Sequence, residues 1–435
     1  MCAEVGLRAG EILRVTGPAR ITVVDGEVIL VGAKYTRGKS FVIHELRSYG
    51  LKALTDAKLS IVVGSGGSFE YVSSEDEVVD SWLEISDHIA KSSVRPLKVV
   101  VIGPVESGKT TLSAFLSNYL SQKGLNTCLV EGDVGQEDLA IPATIALTKI
   151  TKSFVWQREL SFDDVRFVGC ISPQYCRAEV IAGLLDLINA NVSRCEAFII
   201  NTDGWVSSEG GLTHKLEIIR WVKPTYVLVL SEFIHKFLKE VLSNSTEVIY
   251  VKPPRNVKPR DVNDRRNLRS EAYRRYFSNA SIRTLRLGEV GFIKSHVFNT
   301  TKLSANELSE LIPNMSEIQD FIIYAGISDK CVNILIDDKG LRSVQNLKIV
   351  SLGNPPNINV NIVLRSEVKG CLVGILGEGL KDVGAGILED IFLENGVVSL
   401  KIRTPYEGLI KALVGSNIKL SEDFKEMGRP ARCGI

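Results

Sequence analysis

Apolar positions change their period along this 435-residue chain. Up to about residue 72 they come in short runs: Ile21–Val24, Glu27–Val31, Ser40–Ile43 and Leu59–Val63. Asp25-Gly26, Arg37-Gly38 and Gly64-Ser65-Gly66-Gly67 separate the runs as turn signals, and the spacing predicts a small N-terminal β-sandwich. The acidic stretch Ser73–Glu77 then opens a helix through Trp82, Ile85 and Ile89, which Ser92–Pro96 ends. From 95 to 283 apolar strand runs alternate with helical patterns. Strands are expected at Leu97–Ile102, Thr127–Val130, Val165–Val168, Ala197–Ile200, Tyr226–Leu230 and Glu247–Val251. This alternation predicts an α/β domain with a mostly parallel, doubly wound sheet. From 284 onward β signals dominate again, as in Phe321–Tyr324, Val332–Ile336, Val360–Leu364 and Val398–Ile402. The expected organisation is a β-rich region 1–94 with its linker helix, a central domain 95–283 and a C-terminal β-rich domain 284–435.

The most specific chemistry sits where the first central strand ends. Leu97–Ile102 runs into Gly103-Pro104-Val105-Glu106-Ser107-Gly108-Lys109-Thr110-Thr111, and helical spacing resumes at Leu112. G-x-x-x-x-G-K-T between a strand and a helix is a P-loop. Its backbone N–H groups and the helix N-terminus converge on a polyphosphate. Lys109 is placed to reach the β- and γ-phosphates, and the Thr110 hydroxyl to complete a Mg²⁺ shell. The chain therefore reads as a nucleoside-triphosphate enzyme or switch.

Ligands of such sheets lie at the carboxyl ends of strands, and further polar motifs occupy those ends here. The second central strand ends in Glu131-Gly132-Asp133-Val134-Gly135-Gln136. Asp133 is a candidate base or metal-shell ligand with Glu131 in support, or a turn aspartate holding its own backbone. The fourth ends in Thr202-Asp203-Gly204-Trp205, where the Trp205 ring either stacks on a base or packs half-buried. A related loop, Gly169–Pro173, follows the third. Between Lys252 and Arg275 lie Lys252, Arg255, Lys258, Arg260, Arg265, Arg266, Arg269, Arg274 and Arg275. Arg265 and Arg269 are four apart, on one face of a helix. The run is a phosphate-binding lid, to which arginine is suited, or a solvated face. A guanine-specific N-K-x-D motif is missing from the sequence.

Composition narrows little. Apolar content of 45%, charged content of 24% and net charge +1 are those of an ordinary globular chain, without a global nucleic-acid signature. The eight cysteines show no C-x-x-C pair, so spacing supports neither a zinc site nor a disulfide framework. A reducing, cytoplasmic setting is expected. The N-terminus lacks a signal peptide's apolar core, and no apolar run is long enough to span a membrane.

Taken together, these motifs resemble the polynucleotide 5′-hydroxyl-kinase family, which includes the RNA kinase of pre-mRNA cleavage and tRNA splicing and a ribosomal-RNA-processing kinase. The family's P-loop is similar to Gly103–Thr111. Its [DE]-x-D-x-G-Q motif is met by Glu131, Asp133, Gly135 and Gln136, its T-x-G-W clasp by Thr202, Gly204 and Trp205, and its R-x-x-x-R lid by Arg265 and Arg269 before Tyr276-Phe277. Ala140–Thr144 and Gly32–Gly38 are similar as well. The resemblance implies transfer of the ATP γ-phosphate, with Mg²⁺, to a 5′-hydroxyl end of RNA or DNA, in company with RNA-processing proteins. Lys109, Asp133, Arg265 and Arg269 would then be catalytic. Thr110 and Asp133 would hold the metal, and Gln136, Thr202, Gly204 and Trp205 the acceptor nucleotide. Two other classes remain open: an ATP-binding scaffold without turnover, and a P-loop ATPase or switch acting on a protein.

Overall fold

The computed structural model describes residues 2–242, 246–255, 261–311, 318–328, 331–346 and 359–427. The chain forms two compact units, one of residues 1–140, 145–165 and 172–265, the other of 141–144, 166–171 and 266–435.

The first unit begins with β1 (Cys2–Leu7), β2 (Ile12–Thr16), β3 (Ala19–Asp25), β4 (Glu27–Leu30), β5 (Ala33–Thr36), β6 (Ser40–Ile43), β7 (Ser48–Ala53), β8 (Ala57–Val63) and β9 (Ser68–Val72). They make two sheets, in the orders β1-β8-β3-β6 and β5-β4-β7-β2-β9, with antiparallel neighbours throughout. Alternate burial along β3, β7 and β8 is the period-two signature of strands with one face in a core. The four expected runs are β3, β4, β6 and β8. In β2 the apolar run Ile12, Leu13 and Val15 is broken by a charge carried inward: Arg14 is buried, its guanidinium 2.5 Å from the buried Glu77 carboxylate.

Helix α1 (Val79–Ala90) buries Val79, Trp82 and Ile89, and the Trp82 ring meets Phe115 edge-on at 5.6 Å. Then follow β10 (Leu97–Ile102), α2 (Lys109–Gln122), β11 (Thr127–Gly132), β12 (Thr144–Lys149), β13 (Asp164–Phe167), α3 (Arg177–Asn191), β14 (Ala197–Thr202), α4 (Glu209–Val222), β15 (Tyr226–Val229), α5 (Glu232–Val241) and β16 (Glu247–Tyr250). The central sheet has the order β13-β12-β11-β14-β10-β15-β16. Strands β11, β14, β10, β15 and β16 are parallel, as expected, and are apolar runs because helices cover both faces. Strand β12 is an addition to the expected set and pairs antiparallel with β11.

One expectation is corrected here. Cys128 and Cys195 form a disulfide, with Cα atoms 5.8 Å apart. Spacing conceals it because 67 residues separate the two, and only the pairing of β11 with β14, Thr127 opposite Ala197, brings them together.

Helix α6 (Val262–Tyr276) carries the chain into the second unit. There follow β17 (Ser281–Arg286), β18 (Gly291–Ile293), β19 (Thr301–Lys302), α7 (Ala305–Leu311), β20 (Ile322–Ser328), β21 (Cys331–Ile336), α8 (Leu341–Asn346), β22 (Asn359–Leu364), α9 (Arg365–Val368), β23 (Leu372–Leu376), β24 (Asp382–Glu394), β25 (Val397–Thr404) and β26 (Ala412–Val414). They form a six-stranded sheet, β17-β25-β24-β23-β26-β18, and a four-stranded one, β19-β20-β21-β22. Arg365 fastens one sheet to the other, its guanidinium donating to both Asp337 and Asp390. Tyr273 and Phe277 of the α6 region are buried with Leu372, Ala385 and Ile387. Among the described residues no helix is long and apolar enough to cross a membrane.

Candidate active site

The loop after β10 turns on two special residues. Gly108, the N-cap of α2, has φ of 97°, and Glu106 has φ of 63°. Gly108 is confined as well: a Cβ there would stand 2.9 Å from Pro254. No side chain caps α2, so its first N–H groups keep their free valence for an anion. Lys109 is buried, and its Nζ donates to the Pro104 carbonyl at 2.8 Å. Burial lowers its pKa, against the nearby carboxylate of Asp133, which raises it.

Asp133 stands past the end of β11, the strand beyond β14 from the P-loop strand. Its Oδ1 accepts from the N–H groups of Gly135 and Gln136, each at 3.1 Å. Its second oxygen has no hydrogen-bond partner among the described residues. Burial and then the negative charge of Asp203 raise its pKa, while Lys109 opposes them. Glu131 is a brace. Its Oε1 accepts from the Asp133 N–H at 3.1 Å and from Asn201 Nδ2 at 2.7 Å, while Oε2 is buried with no bond among the described residues. Desolvation raises the Glu131 pKa strongly. Asn201 also reaches Thr110 Oγ1 at 3.3 Å, so one amide ties the acidic motif to the P-loop hydroxyl.

The clasp segment leaves β14 beside the P-loop. A Cβ on Gly204 would lie 2.8 Å from the Val105 nitrogen, so only glycine lets the two loops approach this closely. Thr202 is buried and its hydroxyl donates to the Val101 carbonyl at 2.8 Å, which fastens β14 to β10. Asp203 takes the Trp205 N–H on Oδ1 at 2.8 Å and the Lys215 ammonium on Oδ2 at 2.5 Å. Burial alone would raise the Asp203 pKa, yet Lys215 and His214 hold it well below the usual carboxylate range. The Trp205 ring is half-buried against α4: a Cβ on Gly210 would come 3.1 Å from it, and the His214 ring lies 6.1 Å away.

The basic run divides. Arg265 belongs to the first unit, where its Nη2 lies 3.3 Å from Glu106 of the P-loop. Arg269 belongs to the second, where Glu426 takes its fork in two bonds of 2.7 and 2.8 Å. Lys258 and Arg260 lie outside the described residues. Arg255 pairs with Asp76 at 2.6 Å, and Lys252 donates to the Glu75 carbonyl. Three site residues escaped sequence reading, namely Asn201, Asp203 and Lys215. The first two carry a signal, polar residues closing an otherwise apolar strand; Lys215 carries none within its amphipathic helix.

A strand–glycine loop–helix unit with an uncapped helix start, a buried lysine and carboxylates at the neighbouring strand ends defines a P-loop nucleotide-binding protein. Residues 103–279 match the family model of the mRNA cleavage and polyadenylation factor CLP1 P-loop. A polyribonucleotide 5′-hydroxyl-kinase of Methanocaldococcus jannaschii is 28% identical over 346 residues, covering 78% of this chain and 91% of that protein. Another, of Pyrococcus furiosus, is 28% identical over 339 residues, covering 77% and 90%. The solved structure of a wild-type Clp1p–Pcf11p complex has a TM-score of 0.63 at 13% identity, covering 96% of this chain and 98% of that one, a likeness of fold. Residues 103–279 are thus similar to the CLP1 P-loop family, and over most of its length the chain is similar to the polyribonucleotide 5′-hydroxyl-kinases.

Proposed function

We propose that the protein is an ATP-dependent polynucleotide 5′-hydroxyl kinase acting on RNA. The observation that carries this reading is the convergence of three loops in one unit. The P-loop lysine, the Asp133 carboxyl and the Gly204–Trp205 clasp surround one space, with Asn201 linking the acidic motif to Thr110. A donor phosphate cradle, a base and an acceptor-holding loop are the parts phosphoryl transfer needs, since positioning and electrostatics do most of the work.

In this mechanism the P-loop N–H groups and Lys109 hold the β- and γ-phosphates. The nucleobase enters the cleft lined by Arg14, Tyr49, Trp82, Thr111 and Phe115. The acceptor 5′-oxygen attacks the γ-phosphorus as its proton passes to the free oxygen of Asp133, and the bond from the γ-phosphorus to the bridging oxygen breaks to leave ADP. The raised pKa of Asp133 suits a base working nearer neutrality. A hydroxyl beside phosphates and a carboxylate within reach of its water shell suit Mg²⁺, so Thr110 would hold it directly and Asp133 through water, which leaves the free Asp133 oxygen open to the proton. Bound Mg²⁺ supplies charge neutralisation on the phosphates. Gln136, Gly204 and Trp205 hold the acceptor nucleotide, with Thr202 anchoring β14, the strand that leads to the latter two. Arg265, 3.3 Å from Glu106 of the P-loop, is the lid cation, and Arg269 is the second arginine of the same R-x-x-x-R pattern. A three-part division at 94/95 and 283/284 and a role beside RNA-processing proteins belong to the same proposal.

The test is transfer of labelled γ-phosphate from ATP to matched 5′-hydroxyl RNA and DNA oligonucleotides. Label on the 5′ end supports the reading. Tight ATP binding without transfer to either would leave a scaffold, and protein-stimulated hydrolysis indifferent to 5′ ends would mean a switch.

A further inference from the structure

The segment after β13 takes no part in the mechanism above, although it borders the clasp. Pro173–Tyr175 forms a single helical turn, α3 begins at Arg177, and Tyr175 is 57% exposed. The Arg177 guanidinium lies over the Trp205 ring, 5.8 Å from its centroid. It is exposed, and no carboxylate among the described residues pairs with it. An arginine this close leaves no space for a base between itself and the ring, because two contact layers need about 7–8 Å. A base stacked on that face therefore displaces Arg177. A cation on the open face of a half-buried ring is held less firmly than a base stacked on the same face, so the exchange runs toward the base. The released guanidinium, on the rim of the clasp, then meets the next charged group of the acceptor, the phosphodiester following the first nucleotide. Tyr175, two residues back in the chain, is also largely exposed.

We propose that Arg177 and Tyr175 extend the acceptor site by one nucleotide step. Arg177 covers the Trp205 ring in the empty site and trades it for the first phosphodiester, and Tyr175 stacks the second base. This rests on the kinase reading for the identity of the acceptor and adds that it is a single strand of at least two nucleotides with unpaired bases.

Binding separates the two claims, because it needs no turnover. Labelled 5′-hydroxyl hexaribonucleotide is titrated with the full chain, with a dinucleoside monophosphate and a nucleoside as competitors. Arg177→Ala weakens the hexamer and the dinucleoside monophosphate about tenfold, leaves the nucleoside unchanged or tighter, and lowers the slope of log K against log salt by about 0.7. Arg177→Lys keeps the wild-type slope. Tyr175→Ala weakens the hexamer about tenfold, but has no further effect on a hexamer whose second nucleotide is abasic. Wild-type affinity and slope in Arg177→Ala overturn the proposal, as does an equal Tyr175→Ala loss on the abasic strand. RNA binding with these responses but no phosphate transfer sinks the kinase reading alone, and wild-type protein that binds no 5′-hydroxyl RNA sinks both.

Discussion

Replacing Lys215 by Met removes one half of a fully buried ion pair and tests how the clasp is held. Lys215 and Asp203 are both buried and 2.5 Å apart, and the other Asp203 oxygen fixes the Trp205 N–H. Without the ammonium the buried carboxylate keeps only the Trp205 N–H and the His214 ring, and losing its main partner costs about 3–5 kcal/mol. The pH dependence follows from the direction of the Asp203 shift. In the wild type its folded pKa is depressed, so its contribution is present above the unfolded value of about 3.9 and is lost only as pH falls through the folded one. In Lys215→Met the folded pKa rises above the unfolded value, so the deficit is largest at neutral pH and shrinks toward pH 4–5. Urea denaturation followed by tryptophan fluorescence at pH 7 and pH 5 measures both. The double variant Asp203→Asn, Lys215→Met should recover part of the loss, because no charge is left buried. Kinetically, the acceptor KM should rise more than the ATP KM, since the disturbed loop is the clasp. A Lys215→Met protein destabilised by less than about 1 kcal/mol, with an unchanged acceptor KM, would refute the reasoning.

Lys109→Ala should lower kcat by at least about a hundredfold with folding intact, read by labelled-phosphate transfer and thermal unfolding. The raised pKa of Asp133 places the acid limb of the kcat profile above the ordinary aspartate range, with activity gained as pH rises through it; Asp133→Asn should abolish that limb. Arg265→Ala should lower kcat more than it raises the ATP KM, and Arg265→Lys should rescue poorly because the planar fork is lost. Trp205→Ala should raise the acceptor KM about ten- to a hundredfold with little change in ATP affinity; equal weakening of both substrates would make the ring a packing residue.

The sequence alone determined a great deal here. Strand runs of parallel sheets are apolar on both faces and stand out, so β10, β11, β14, β15 and β16 were legible within a residue or two at most ends. The P-loop was legible because its chemistry depends on neighbours in the chain: glycines for φ of 97° and a lysine and threonine at fixed offsets. Motif order then pointed to the family. What the chain could not show is whatever depends on contacts across long separations. Strand β2 hid behind a charged residue whose partner is distant, as Arg14 and Glu77 are 63 residues apart. The Cys128–Cys195 bond appears only when β11 and β14 are side by side. Within the site, Gly103–Thr111, Asp133 and Trp205 announce themselves, but their supports do not. Asn201 joins residues 70 and 91 positions away, and Lys215 is an ordinary helix lysine until the fold buries it against Asp203. Local chemistry is written in local sequence, whereas burial and charge pairing are properties of a chain already folded, and tertiary structure alone decides them.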